Sequence, residues 1–257
     1  MPTVLDALHR WQHQPLRLRD RAVAGVLGVG VLMSIYNLTA RLSALGDRPR
    51  LTLPTAIDDL VGLHPAAMLI YGGLYLQAVA PLALITDRRV LLRAGLAYLL
   101  PVLVGVPFWV YWPVEFPRGP LHVDDVFTWG LTLLRHLDPP TNCFPSMHVA
   151  ESFLAALILR RQDRALGRAM LVSAAAIWWS TMALDQHWFV DGLAGLLLAL
   201  AADWLLFSLR PLPAAAHAPS SRLRLLWAAG LYAVMFLAFA LPWWTGWLTP
   251  ADLESAW

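Results

Sequence analysis

Lysine is absent from this 257-residue chain; all 19 basic side chains are arginine. Schiff-base and lysine-centred acid/base schemes are thereby excluded, and the bias fits a GC-rich genome. Cysteine occurs once, as Cys143, so no intrachain disulfide can form, and no Cys/His pair has zinc-ligand spacing. Charge of either sign is scarce: 14% of residues are charged against 58% hydrophobic, far too apolar for an ordinary soluble domain. The net charge of +2 comes from arginines dispersed between apolar runs, which argues against a nucleic-acid-binding face.

Long uncharged runs take the place of the missing charge. Windows 22–40, 65–86, 94–114, 169–184 and 225–251 are mostly at or near the roughly 20 residues a helix needs to cross hydrocarbon. Two more, 149–159 and 192–209, are short or interrupted by Glu151 or Asp203. Seven spans are expected, in an all-α polytopic membrane bundle with a six-span core. No short apolar core with a small-residue cleavage site precedes Ala22, so the first span is expected to be an uncleaved anchor. With the N-terminus inside, 14 arginines gather on the cytoplasmic side and 5 (Arg41, Arg48, Arg50, Arg118, Arg135) on the other. That bias predicts an external C-terminus, with Trp243, Trp244 and Trp247 at the outer interface.

The organisation expected is a cytoplasmic segment 1–21, a catalytic core 22–209, a Pro/Ala-rich linker 210–224 and an additional span with a short external tail, 225–257. No internal repeat is present. In the long external connection, residues 123–137 place Val123, Val126, Phe127, Leu134 and Leu137 on one helical stripe, the pattern of an interfacial helix. A lid and a connecting helix packed on the bundle both fit.

Two polar groups interrupt the apolar pattern, and in a membrane such residues point to function. Cys143-Phe144-Pro145-Ser146-Met147-His148 opens the fourth span. Proline suits a first helical turn, serine can cap it, and the unpaired amides of a helix start attract phosphate. Only 11 uncharged residues separate His148 from Arg160, too few to cross the hydrocarbon, so the His148 end is expected to be recessed. The second group, Asp185-Gln186-His187-Trp188-Phe189-Val190-Asp191, lies in the external hairpin after the fifth span. His187 and Asp191, four apart, share a helical face, so the carboxylate can hold one imidazole nitrogen and leave the other free to attack phosphorus. Arg118, on the stiff Pro117-Arg118-Gly119-Pro120 loop, falls on the same side and suits bidentate contact with a phosphate. Each group also has a plainer reading: a core histidine bonded to a carbonyl, a chance His/Asp pair, an arginine answering headgroups.

These stretches resemble the type 2 phosphatidic acid phosphatase superfamily, whose second motif is P-S-G-H and whose third is S-R-x-x-x-x-x-H-x-x-x-D. Here they read Pro145-Ser146-Met147-His148 and Ser180-Thr181, then His187 and Asp191. Met147 replaces the motif glycine, Thr181 replaces its arginine, and the lysine of the first motif is missing. Phe144-Pro145-Ser146-Met147-His148 and His187-Trp188-Phe189-Val190-Asp191 are similar to one branch, the inositol phosphorylceramide synthases (F-P-S-L-H, H-Y-F-V-D), as is Thr55-Ala56-Ile57-Asp58-Asp59. The resemblance covers about residues 50–205.

It implies a nucleophile at His187, an orienting carboxylate at Asp191, an acid at His148, and substrate contacts at Ser146, Arg118 and Met147. It implies no metal, no cofactor and a lipid phosphate or phospholipid substrate; the dispersed arginines argue against nucleic acid, and their count predicts a site facing outward from what is expected to be a bacterial inner membrane. Headgroup transfer between lipids and simple hydrolysis both stay open. A haem- or metal-binding bundle with His148 and His187 as ligands is a non-enzymatic alternative, as is a transporter with a polar-lined cavity.

Overall fold

The computed structural model describes residues 14, 16–45, 48–138, 140–212, 230, 233–234, 236–237 and 240–246. Polar side chains set most helix starts. Asp20, in the first turn of α1 (Leu18–Ala44), accepts from the Arg17 amide and pairs with Arg88. Thr55 and Asp58 form a capping box on the short α2 (Ala56–Val61). A 3₁₀ turn, Pro65–Ala67, leads into α3 (Met68–Leu84), and Asp87 caps α4 (Arg88–Tyr111). The caps of α5 (Val126–Leu137), α6 (Met147–Arg160) and α7 (Arg164–Ala183) are Asp125, Ser146 and Asp163. Last comes α8 (Phe189–Asp203), which runs into a π turn at Trp204–Ser208.

Among the described residues the fold is all-helical apart from one isolated bridge, Leu51 to Val114, tying two connections together at the end of the bundle that also carries the α7–α8 hairpin. The innermost helix is α6, packed by α3, α4, α7 and α8 and burying ten of its 14 residues. At its far end Leu154, Ala155, Ile158 and Leu159 join Val90, Ala94 and Ala202 in the largest apolar cluster. By contrast α1 lies outside, with Val26 and Leu27 largely exposed. Apolar side chains turned outward over a whole helix are the surface that hydrocarbon solvates.

Among the described residues four helices are long and apolar enough to cross a membrane: Leu18–Ser43, Pro65–Leu84, Arg88–Tyr111 and Phe189–Ser208. The expected six-span core adds α6 and α7 to these. With 14 residues α6 is only about 21 Å long, short of the hydrocarbon thickness. Most of the seventh window, and Trp247, lie outside the described residues, whereas Trp243 and Trp244 fall in a helical stretch at 240–245. The interfacial helix starts at Val126 rather than 123 because Asp125 accepts from the amides of Phe127 and Thr128. It buries Trp129, Leu131 and Leu134, so it is packed on the bundle.

Candidate active site

The starts of α6 and α8 are locked together. The Ser146 amide donates to the Asp191 carbonyl at 3.0 Å, and Gly195 brings α8 against the Ser146 backbone so closely that a Cβ there would lie 2.3 Å from the Ser146 oxygen. Beside them the α7–α8 hairpin turns at Asp185, whose φ of 55° is the left-handed conformation that aspartate tolerates. Thr181, in the place of the motif arginine, receives the amides of Gln186 and His187 on its carbonyl. Asp58 braces the hairpin from α2, accepting from the Phe189 amide at 2.7 Å. Residues 39 and 131 positions apart in sequence thus meet at one end of the bundle.

His148 and His187 touch: Nδ1 of His148 lies 2.7 Å from Nε2 of His187. Behind His187, Asp191 Oδ2 is 3.5 Å from Nδ1 and accepts from the Trp188 amide at 2.9 Å. His187 is 3% exposed and Asp191 fully buried, and neither His187 Nδ1 nor Asp191 Oδ1 has a hydrogen bond of good geometry. Long contacts in ligand-free sites commonly tighten on substrate binding. On the other side of His148, the Tyr71 hydroxyl is 3.0 Å and Asp138 Oδ2 is 3.8 Å from Nε2, and Tyr36 donates to Asp138 Oδ1 at 3.0 Å. Tautomers follow by assignment from these partners: Tyr71 donates to Nε2 of His148, so Nδ1–H donates to His187, whose own Nδ1–H faces Asp191.

Arg118 reaches this end of the bundle as a clasp. Its guanidinium donates to the carbonyls of Asp185, Arg135 and Asp138 and to Gln186 Oε1, using four of its five N–H groups. Arg135 binds the Gly119 carbonyl and pairs with Asp185 at 2.9 Å. Burial raises the Asp185 carboxyl above its usual range, against the opposing pull of Arg135 and Arg118. Ser146 is fully buried, its hydroxyl accepting from the Val149 amide, and the Met147 side chain packs with Val102, Trp109 and Ala150. Of the expected substrate contacts, then, Ser146 meets the site through helix-start geometry, Arg118 through one remaining N–H, and Met147 with its side chain directed into the apolar core.

Cys143 Sγ, a His187 nitrogen and an Asp191 oxygen lie within 4.8 Å of one another, a spacing a metal ion could bridge. The thiol, however, donates to the Pro140 and Gln186 carbonyls, and burial first, then the Asp191 charge, hold it well above its ordinary value.

Tyr71, Asp138 and Tyr36 are site residues that reading the sequence missed. Tyr71 sits among apolar residues of a span, and Asp138-Pro139-Pro140 reads as a turn. Only the hydroxyl at Tyr71, with a second at Tyr75 one turn on, could have marked that helix as facing a polar site.

Residues 88–213 match the PAP2 superfamily. The match takes in Arg118, Ser146, His148, His187 and Asp191, leaves out Asp58 and Tyr71, supports the superfamily, and fits a membrane lipid phosphatase or phosphotransferase. It supports an enzyme. No curated protein and no solved structure gives a significant match.

Proposed function

We propose that this PAP2-type protein is a lipid phosphotransferase or phosphoesterase working through a phosphohistidine on His187. The observation that carries the reading is the 2.7 Å contact between His148 Nδ1 and His187 Nε2, with Asp191 behind the second ring. The entering phosphate separates the two rings; Nε2 of His187 attacks phosphorus as the bond to the leaving oxygen breaks, and His148, cationic with its second proton on Nε2 facing Asp138, passes its Nδ1 proton to that oxygen and is left neutral. In the second step a hydroxyl attacks phosphorus, returns its proton to His148 and releases His187 neutral. Asp191 stabilises the charged ring between the two steps. Tyr71 and Asp138 position His148, and the Asp138 carboxylate faces its cationic form. The remaining N–H of Arg118 and the α6 start serve the phosphate oxygens.

The lipid nature of the substrate draws support from an apolar cavity of about 240 Å³ beside Tyr71, between α3 and α5, lined by Met68, Tyr75, Phe127 and Leu134 among others. Met147 and Thr181, in place of the phosphatase-pattern glycine and arginine, favour transfer of a phosphorylated headgroup to a second lipid over hydrolysis, in line with the inositol phosphorylceramide synthase branch. The excess of arginine at the opposite end supports a site at the outer face. Haem or metal ligation by both histidines would hold their nitrogens about 4 Å apart across the metal, and the rings are in direct contact.

Incubating purified protein with a ³²P-labelled lipid phosphate and acceptor lipids is the test. Wild type is expected to trap acid-labile label and His187→Ala none, while His148→Ala slows turnover by about 10²–10⁴-fold. Turnover by His187→Ala at the wild-type rate refutes the reading.

A further inference from the structure

At the end of α6 opposite the histidines, the α6–α7 turn folds four arginines into one cleft. Gly167 lets α7 lie directly on the backbone of Arg160, where a Cβ would come within 2.3 Å of that residue's Cα. Arg160 and Arg161 close α6, and Arg164 and Arg168, four apart, share one face of α7. Together they line a cleft of about 480 Å³ whose remaining wall is Phe207, Pro211 and Leu212.

Arg161 is held by Asp203, to which it donates from both terminal nitrogens, and stacks over Phe207 at 5.1 Å. Asp163 turns its carboxylate to the amides of Ala165 and Leu166. Arg160, Arg164 and Arg168 are exposed, so three positive charges line the concavity beyond the one that Asp203 neutralises. In the same turn Gln162 is 8% exposed, with neither its carbonyl nor its amide hydrogen-bonded. Like charges gathered at a concave site repel one another unless an anion joins them.

Next to the cleft, the π turn that ends the last described membrane helix turns Trp204, Leu205 and Leu209 outward. An exposed tryptophan beside exposed leucines at a helix end marks the boundary between hydrocarbon and headgroups. We propose that this cleft binds the headgroup of an anionic phospholipid, with the phosphate on Arg160, Arg164 and Arg168 and the first carbons of its chains against Phe207 and Leu212. Neither catalysis nor the reading of the histidine site is needed for this.

The test uses full-length protein in nanodiscs of phosphatidylcholine, with and without phosphatidylglycerol, followed by native mass spectrometry and thermal unfolding. Wild type is expected to retain phosphatidylglycerol and to melt higher in its presence. Affinity should fall about fivefold per arginine replaced (about 1 kcal/mol each), or on the order of a hundredfold in Arg160→Gln/Arg164→Gln/Arg168→Gln. Arg17→Gln/Arg19→Gln, at the same end but outside the cleft, should bind as wild type does. The proposal is overturned by equal retention in wild type and triple variant, by equal loss in the Arg17/Arg19 control, or by inorganic phosphate reproducing the whole thermal shift without lipid.

Discussion

Each nitrogen of His148 has a different partner, and that is what distinguishes it from a core histidine. One faces His187, the other Tyr71 and Asp138. If the second set positions an acid, its removal must hurt most where the leaving oxygen needs a proton. Tyr71→Phe and Asp138→Asn are each expected to lower kcat about 10²-fold on an alkyl phosphate, with little change on a nitrophenyl phosphate, whose leaving group departs unassisted. Equal losses on both substrates would make these residues merely structural. Cys143 supplies a residue-scale test of burial. Because its ionisation is pushed up, the folded protein keeps the thiol protonated at pH values where an unfolded chain has thiolate. Native protein at pH 8 should therefore resist iodoacetamide and react on denaturation, as mass spectrometry would record.

Element by element, the site depends on the close approach of two helix starts. Gly195 has no side chain where α8 meets the Ser146 backbone, so Gly195→Ala must push α6 and α8 apart. The expected destabilisation is about 1–3 kcal/mol, read as a lower unfolding temperature in detergent, together with lost activity because the two rings ride on those helices. The Pro-Ser start of α6 and the four-residue spacing of His187 and Asp191 were legible in the chain. Which glycine made their meeting possible was not, since a glycine in an apolar helix looks the same whether it faces lipid or a backbone. Arg118 illustrates the same limit from the other side. Its residue type suits phosphate, yet four of its N–H groups go to carbonyl and amide oxygens of the loop, positions that exist only once the loop is folded.

For the molecule as a whole, the arginine distribution predicts that the histidine end faces outward. In a Cys143→Ser background, Gly119→Cys, exposed beside the site, should label from outside intact cells with a membrane-impermeant maleimide, and Ala165→Cys at the other end only after lysis. The reverse pattern would invert the topology. Membrane residence, helical class and the meeting of three motif-bearing segments at one end were determined by the sequence itself, because scarcity of charge over 20-residue stretches leaves a chain few other solutions. Only the tertiary structure decided that His148 touches His187, that Tyr71 and Asp138 lie against His148 and Asp58 against the α7–α8 hairpin, and that four arginines share a cleft at the far end. Those facts rest on contacts between residues far apart in the chain, and such contacts depend on how helices pack, which local patterns of polarity do not encode.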